Sequence, residues 1–275
     1  MLSPFEEIVE AVGPLGLPRD VMSKLPRRWE RLGDVLLLKV DERILPYADE
    51  VLRVYAEVLR AKAVLRDMGI EGRFREPRVE LLYGSDTLTV HRENGIAFHM
   101  DPSLVMFSSG NIDERMRMST VGTPGEMVVD MFAGIGYFIV PMAVRSRVRG
   151  MAFELNPNSY GFLVRNVDEN GVSGLVETVH GDCLDAPERI ADRVLMGYLS
   201  DTPVFLEKAM RIIGTDGGTV HCHTACPREL IGERTASLLS ETSDAAGRTV
   251  TSSRTREIKS YAPGVAHIVI DIVID

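Results

Sequence analysis

The sequence has 275 residues, 45% of them hydrophobic and 26% charged, with a formal net charge of −9. This is the composition of a folded chain with one large or two small cores, and it excludes collagen, coiled coil and general disorder. The acidic balance does not advertise nucleic-acid binding by the chain as a whole, so any RNA site must be a local basic patch.

No apolar run approaches the roughly 20 residues that span a bilayer, so no membrane contact is expected. The acidic start, residues 1–13, lacks the basic flank and apolar block of a secretory leader. Three cysteines are too few and too odd in number for a disulfide framework, and a reducing cytoplasm is the simplest expected compartment.

In chain order, Lys24, Arg27, Arg28 and Arg31 surround Trp29, the only tryptophan. Such a cluster can grip RNA phosphates or stack a base. A solvated basic stretch around a core tryptophan is the simpler reading for Trp29. Residues 34–40 read as a strand. Val51, Val54, Tyr55, Val58, Leu59 and Leu65 recur at helical spacing and predict an amphipathic helix over 47–68, ended by Gly69. Residues 78–83, 86–91 and 96–100 read as strands, with Glu93-Asn94-Gly95 as a hairpin tip. An N-terminal α+β domain is expected over about 1–120.

From about 125, strand and helix alternate. Strands are predicted at 126–131, 150–154, 175–180, 193–196 and 218–223, and helices at 158–170 and 203–213. A further helical stretch follows the first strand, and two strand candidates, 256–260 and 265–274, close the chain. This alternation predicts an α/β, Rossmann-like domain over 121–275 with a mostly parallel sheet.

The sharpest local signal is Val128 to Gly136, in which a strand delivers Asp130 into a turn with Phe132, Gly134 and Gly136. Glycines suit a tight turn and a close ligand approach. Glu154, eighteen residues past Gly136, can accept from both ribose hydroxyls of an adenosine. Asp182, in Gly181-Asp182-Cys183, can accept from an adenine amine, with Cys183 lining the same site as a packing residue. A dinucleotide site prefers a third glycine where this chain has Ile139, and Asp130 would repel a pyrophosphate. The three ordered elements point to S-adenosylmethionine. The alternative is a packed α/β domain whose acids lie on the surface.

DMFAGIGYFIVPMA at 130–143, FELNPNSYGFLVRN at 153–166 and HGDC at 180–183 resemble the class I enzymes that modify the guanosine next to the tRNA anticodon. The stretches 25–38, 107–117 and 259–271 are also similar to segments of that group. It contains the tRNA guanine-N1-methyltransferase and the wybutosine-pathway aminocarboxypropyltransferase. The methyltransferase branch has an Arg where this chain has Gly110. It also has an Asn- and Pro-containing loop where this chain runs Gly197-Tyr198-Leu199-Ser200. Both departures favour the aminocarboxypropyltransferase branch, with the methyltransferase as the alternative and a non-catalytic RNA- or nucleotide-binding module as a third.

The resemblance implies transfer of the 3-amino-3-carboxypropyl group of S-adenosylmethionine to C7 of 4-demethylwyosine in the anticodon stem-loop of tRNA(Phe). It also implies that Ser108 and Arg115 hold the methionine arm, although Arg115 can equally pair with Asp113 or Glu114 at the surface. Asp130 and Asp201 are candidates for a base at C7, where water can also serve. Tyr198 can stack on the flipped base or pack in the core. Gly110 can be a simple turn residue. Arg145, Arg147 and Arg149 form a possible second basic patch. His221, Cys222, His223 and Cys226 are metal-capable, but strand spacing puts Cys222 on the opposite face from the histidines, and no metal is expected. A monomer is expected.

Overall fold

Ser3 opens the first helix, α1 (Pro4–Val12), with a capping box. Its hydroxyl accepts from the Glu6 N–H, and the Glu6 carboxylate accepts from the Ser3 N–H. The structure, a computed structural model, describes residues 2–72, 74–199 and 202–275. The chain divides into two compact units, Met1–Ser109 and Gly110–Asp275.

In the first unit, α2 (Arg19–Met22) is followed by β1 (Trp29–Leu32), β2 (Val35–Leu38), α3 (Ala48–Val58), β3 (Ala63–Glu71) and β4 (Glu76–Tyr83). The four strands form one sheet in chain order, with β2 and β3 parallel and the other pairs antiparallel. Ile8 and Val12 of α1 and Leu52 and Tyr55 of α3 pack against Leu36, Leu38 and Val64. Trp29 joins this core, its ring meeting Tyr55 edge-on at 6.4 Å. The tryptophan is thus a packing residue, while Lys24, Arg27, Arg28 and Arg31 around it are exposed.

The expected helix over 47–68 is corrected by the structure. It stops at Val58, and Arg60 turns the chain at φ 51°. Ala63, Val64 and Leu65 then enter β3, fully buried beside β2. Three consecutive apolar residues bury both faces of a central strand, an environment that overrides the chance helical spacing of Leu65. Gly69 caps no helix and sits at φ 107° in an irregular part of β3. β5 (Thr89–Glu93) and β6 (Ile96–Met100) form the expected hairpin. Asn94 and Gly95 carry φ 52° and 80°, so both central residues are left-handed, as a type I′ turn requires.

The second unit begins with α4 (Ile112–Met118). Then follow β7 (Met127–Asp130), α5 (Ile139–Ser146), β8 (Arg149–Glu154), α6 (Pro157–Glu169), β9 (Val176–His180), β10 (Arg193–Met196) and α7 (Thr202–Ile212). The chain ends with β11 (Gly218–Pro227), α8 (Ile231–Ala246), β12 (Val250–Ala262) and β13 (Val265–Ile274). The seven strands lie in the order β12-β13-β11-β10-β7-β8-β9. The five from β11 to β9 are parallel, and β13 runs antiparallel to both its neighbours, β11 and β12. The chain winds outwards from β7 through β8 to β9, then crosses back to β10, so the switch of direction lies between β7 and β10. Ligands of open α/β sheets bind at the carboxyl ends of the strands beside such a point. None of the described helices is long and apolar enough to cross a membrane.

Candidate active site at the carboxyl edge of the sheet

Asp130 is the last residue of β7 and is fully buried. Its Oδ1 accepts from the Phe132 N–H at 3.2 Å, and its Oδ2 has no hydrogen-bond partner. Burial pushes this carboxyl up to about 7; the Phe132 N–H opposes the rise and the nearby Glu154 charge adds to it. A buried acceptor without a partner is costly, and at a strand end it marks a place for a ligand's donor or cation.

The turn after β7 needs its glycines. Gly134 and Gly136 sit at φ 57° and 96°, and a Cβ on them would lie 2.3 Å from the Tyr137 ring and 2.5 Å from Val140. The Gly134 N–H donates to Glu154 Oε2 at 2.8 Å, and the Asn156 N–H to Oε1 at 2.7 Å. These bonds lock the carboxylate at the end of β8 while leaving lone pairs for further donors. Burial nonetheless raises its pKa. Gly181, after β9, donates its N–H to the Glu154 carbonyl at 3.1 Å. Asp182 caps the following turn through the Leu184 N–H at 3.0 Å. Cys183 is buried; burial first, and the Asp182 and Glu154 charges after it, push its thiol up to about 12. It is therefore a neutral packing group rather than a nucleophile.

Tyr198, in the loop after β10, stacks on Phe132 with ring centroids 5.1 Å apart and planes 19° apart. Phe205 of α7 meets both rings edge-on, at 4.9 Å from Phe132 and 6.0 Å from Tyr198. Gly197 is not left-handed; a Cβ there would approach the Phe138 ring at 3.3 Å. Gly110 is not left-handed either. A Cβ there would lie 3.3 Å from both Cδ and Nζ of Lys259, the end of a flexible side chain.

The structure thus gathers Asp130, Phe132, Gly134, Gly136, Glu154, Asp182, Cys183 and Tyr198 along one sheet edge. Arg115 is buried in α4, and its charge bears on the Tyr137 hydroxyl of the glycine turn, which burial and then Glu154 push up. Ser108 is the penultimate residue of the first unit. Asp201 lies outside the described residues. Arg145, Arg147 and Arg149 are exposed. Phe205, Tyr137 and Phe138 were not singled out in the sequence. An aromatic on an amphipathic helix or turn looks like any core residue until its partners are known.

His221 and His223 are buried on one face of β11 and Cys222 in the apolar core on the other. Among the described residues no group of three or more His, Cys, Asp or Glu is arranged to hold a metal ion. The three cysteines are free and buried.

A family model described as the TRM5/TYW2 methyltransferase domain matches residues 89–251, and one described as the TYW2 N-terminal domain matches residues 10–87. The chain is 44% identical over 257 residues to the tRNA(Phe) (4-demethylwyosine(37)-C(7)) aminocarboxypropyltransferase of Pyrococcus horikoshii, covering 93% of this chain and 92% of the relative. It is 31% identical over 260 residues to the tRNA (guanine(37)-N(1))-methyltransferase Trm5b of Pyrococcus abyssi, covering 94% of this chain and 78% of that one. The crystal structure of P. horikoshii TYW2 in complex with MeSAdo aligns with a TM-score of 0.87 and 41% identity over 97% of both chains. By these matches, along almost its whole length, the chain belongs to the TRM5/TYW2 family.

Proposed function

We propose that the chain transfers the 3-amino-3-carboxypropyl group of S-adenosylmethionine to C7 of 4-demethylwyosine, next to the anticodon of tRNA(Phe), and releases methylthioadenosine. The observation that carries this is the end-to-end likeness to the P. horikoshii aminocarboxypropyltransferase, higher than that to the methyltransferase Trm5b. The substitutions at Gly110 and Gly197 fall on the same side.

The residues at the sheet edge fit a cationic nucleoside. Asp130 offers a buried, unpartnered oxygen, which suits a positive centre far better than a pyrophosphate. Glu154, fixed by two N–H groups, is preset for the ribose hydroxyls, and Asp182 for the adenine amine. Gly134 and Gly136 let the backbone come close, and Phe132 and Cys183 line the site. Arg115 takes the methionine arm, for which a guanidinium fork suits the carboxylate. When bound, the cofactor supplies a sulfonium that activates three carbons, and the chain's task is to present the γ-carbon in line with C7. Tyr198 offers a ring to the target base. The C7 proton leaves to Asp130, to Asp201 or to water. The first unit orients the tRNA, with the exposed basic residues around Trp29 as phosphate contacts, and the exposed Arg145, Arg147 and Arg149 of the second unit offer further ones. The chain acts as a monomer in the cytoplasm.

The test is a reaction of the purified chain with S-adenosylmethionine and precursor-bearing tRNA, followed by nucleoside mass spectrometry. An aminocarboxypropyl gain is expected. A methyl gain would return the chain to the methyltransferase branch. Glu154→Ala is expected to weaken S-adenosylmethionine binding about tenfold or more; an unchanged affinity would refute the ribose assignment.

A further inference from the structure

Beneath α4, the sheet carries charges where a core is usually apolar. Arg117 reaches Asp271 of β13 with both terminal nitrogens, at 2.9 Å to Oδ2 and 3.1 Å to Oδ1. Its Nε also donates to Glu114, one helical turn back, at 2.8 Å. Asp271 accepts further from Arg256 at 3.2 Å and pairs with Nδ1 of His221 at 2.6 Å. Arg193 lies 2.6 Å from the other ring nitrogen, Nε2. A guanidinium can only donate, so Nε2 accepts and Nδ1 carries the proton that goes to Asp271. Arg193 is itself paired with Glu126 at 2.6 Å. Every charge in the chain from Glu114 to Glu126 therefore has a directed partner.

Well-packed apolar groups would stabilise such a face at least as well, so stability alone does not account for the network. Its geometric effect is on α4. Glu114 and Arg117 are three apart, so they share one side of the helix. A bidentate anchor on that side fixes both the rotation and the depth of a helix only seven residues long. Arg115 lies between the two anchors and is turned about 100° away from Glu114. Its guanidinium is buried, with its charge bearing on the glycine turn.

We propose that Arg117 and Asp271 form a positioning clamp, holding α4 so that Arg115 meets the carboxylate of the cofactor's aminocarboxypropyl arm. This rests on the reading of Arg115 given above. The two residues touch no substrate; they act through Arg115 and so determine which end of the cofactor is held firmly.

Methylthioadenosine is S-adenosylmethionine without that arm, so a pair of calorimetric titrations on the full chain isolates the effect. The variants are Arg115→Ala, Arg117→Lys and Asp271→Asn, of which Arg117→Lys keeps the charge and is the reference should Asp271→Asn fold poorly. Arg115→Ala is expected to weaken S-adenosylmethionine binding by at least about tenfold. The two clamp variants are expected to weaken it by about tenfold as well, because small misplacements of a fixed group are costly. Methylthioadenosine affinity should stay within about twofold throughout. Parallel weakening of both ligands would overturn the clamp in favour of a general structural role. Unchanged binding in the clamp variants, with Arg115→Ala impaired, would overturn the clamp alone. An unimpaired Arg115→Ala would overturn the arm assignment and the clamp with it.

Discussion

The strands β11 and β13 send alternate residues to two very different faces. On one side, Val220, Cys222, Ile268, Ile270 and Ile272 pack with Leu206, Met210 and Leu239 in a purely apolar core. On the other lie His221, His223, His267 and Asp271, all within one or two residues of those same positions. There His223 Nδ1 and His267 Nε2 are 3.0 Å apart and His223 stacks on Phe138 at 5.3 Å. The first face is held by non-directional burial, which tolerates volume-conserving change. The second is held by directed bonds among charged and polar groups, each of which becomes a liability if its partner is lost. The apolar face supports the fold, and the polar face sets the orientation of α4.

The largest effect that this contrast predicts is at Asp271. Asp271→Ala leaves Arg117, Arg256 and His221 without their shared acceptor and should cost about 3–5 kcal/mol in chemical denaturation. Burial works against the Asp271 charge, but His221 and then Arg117 hold its carboxyl well below the usual range. A depressed carboxylate pKa stabilises the fold above its unfolded value of about 4, and that contribution is lost as pH falls below it. Asp271→Ala should therefore flatten the acid limb of the stability curve. A cost no larger than that of a methyl deletion on the apolar face would erase the distinction between the two faces.

Next in size is the glycine turn, where the site depends on backbone geometry. Gly134→Ala adds a Cβ at φ 57° and 2.3 Å from Tyr137. It should cost about 1–3 kcal/mol in thermal unfolding and weaken cofactor binding. A smaller effect comes from Asp130, whose carboxyl is pushed up to about 7 by burial. The ionised form attracts a cation, so S-adenosylmethionine affinity should rise roughly tenfold from pH 6 to 8 relative to Asp130→Asn. Parallel pH profiles would remove Asp130 from the site. The smallest effect is expected at Ile270→Val on the apolar face, about 1 kcal/mol.

The glycine turn, Glu154 and the alternation of strand and helix around them were legible because each is a local pattern. A strand end, a left-handed turn and a carboxylate at fixed spacing all lie within a few dozen residues. The Asn94-Gly95 hairpin was legible for the same reason. What hid was long-range. Arg117 and Asp271 are 154 residues apart, and nothing near either marks them as partners. The end of α3 was misread because Leu65 kept helical spacing while Ala63–Leu65 were destined for a central strand. The His221 and His223 alternation did show which residues share a face, but not that the face is polar because an arginine-bearing helix covers it.

The most direct measurement follows isotope labels placed separately in the methyl and carboxyl carbons of S-adenosylmethionine during turnover on precursor-bearing tRNA. Transfer of the aminocarboxypropyl group predicts carboxyl label in the tRNA and methyl label in released methylthioadenosine. Methyl label in the tRNA, with carboxyl label left in S-adenosylhomocysteine, would contradict γ-carbon transfer and place the chain among the methyltransferases.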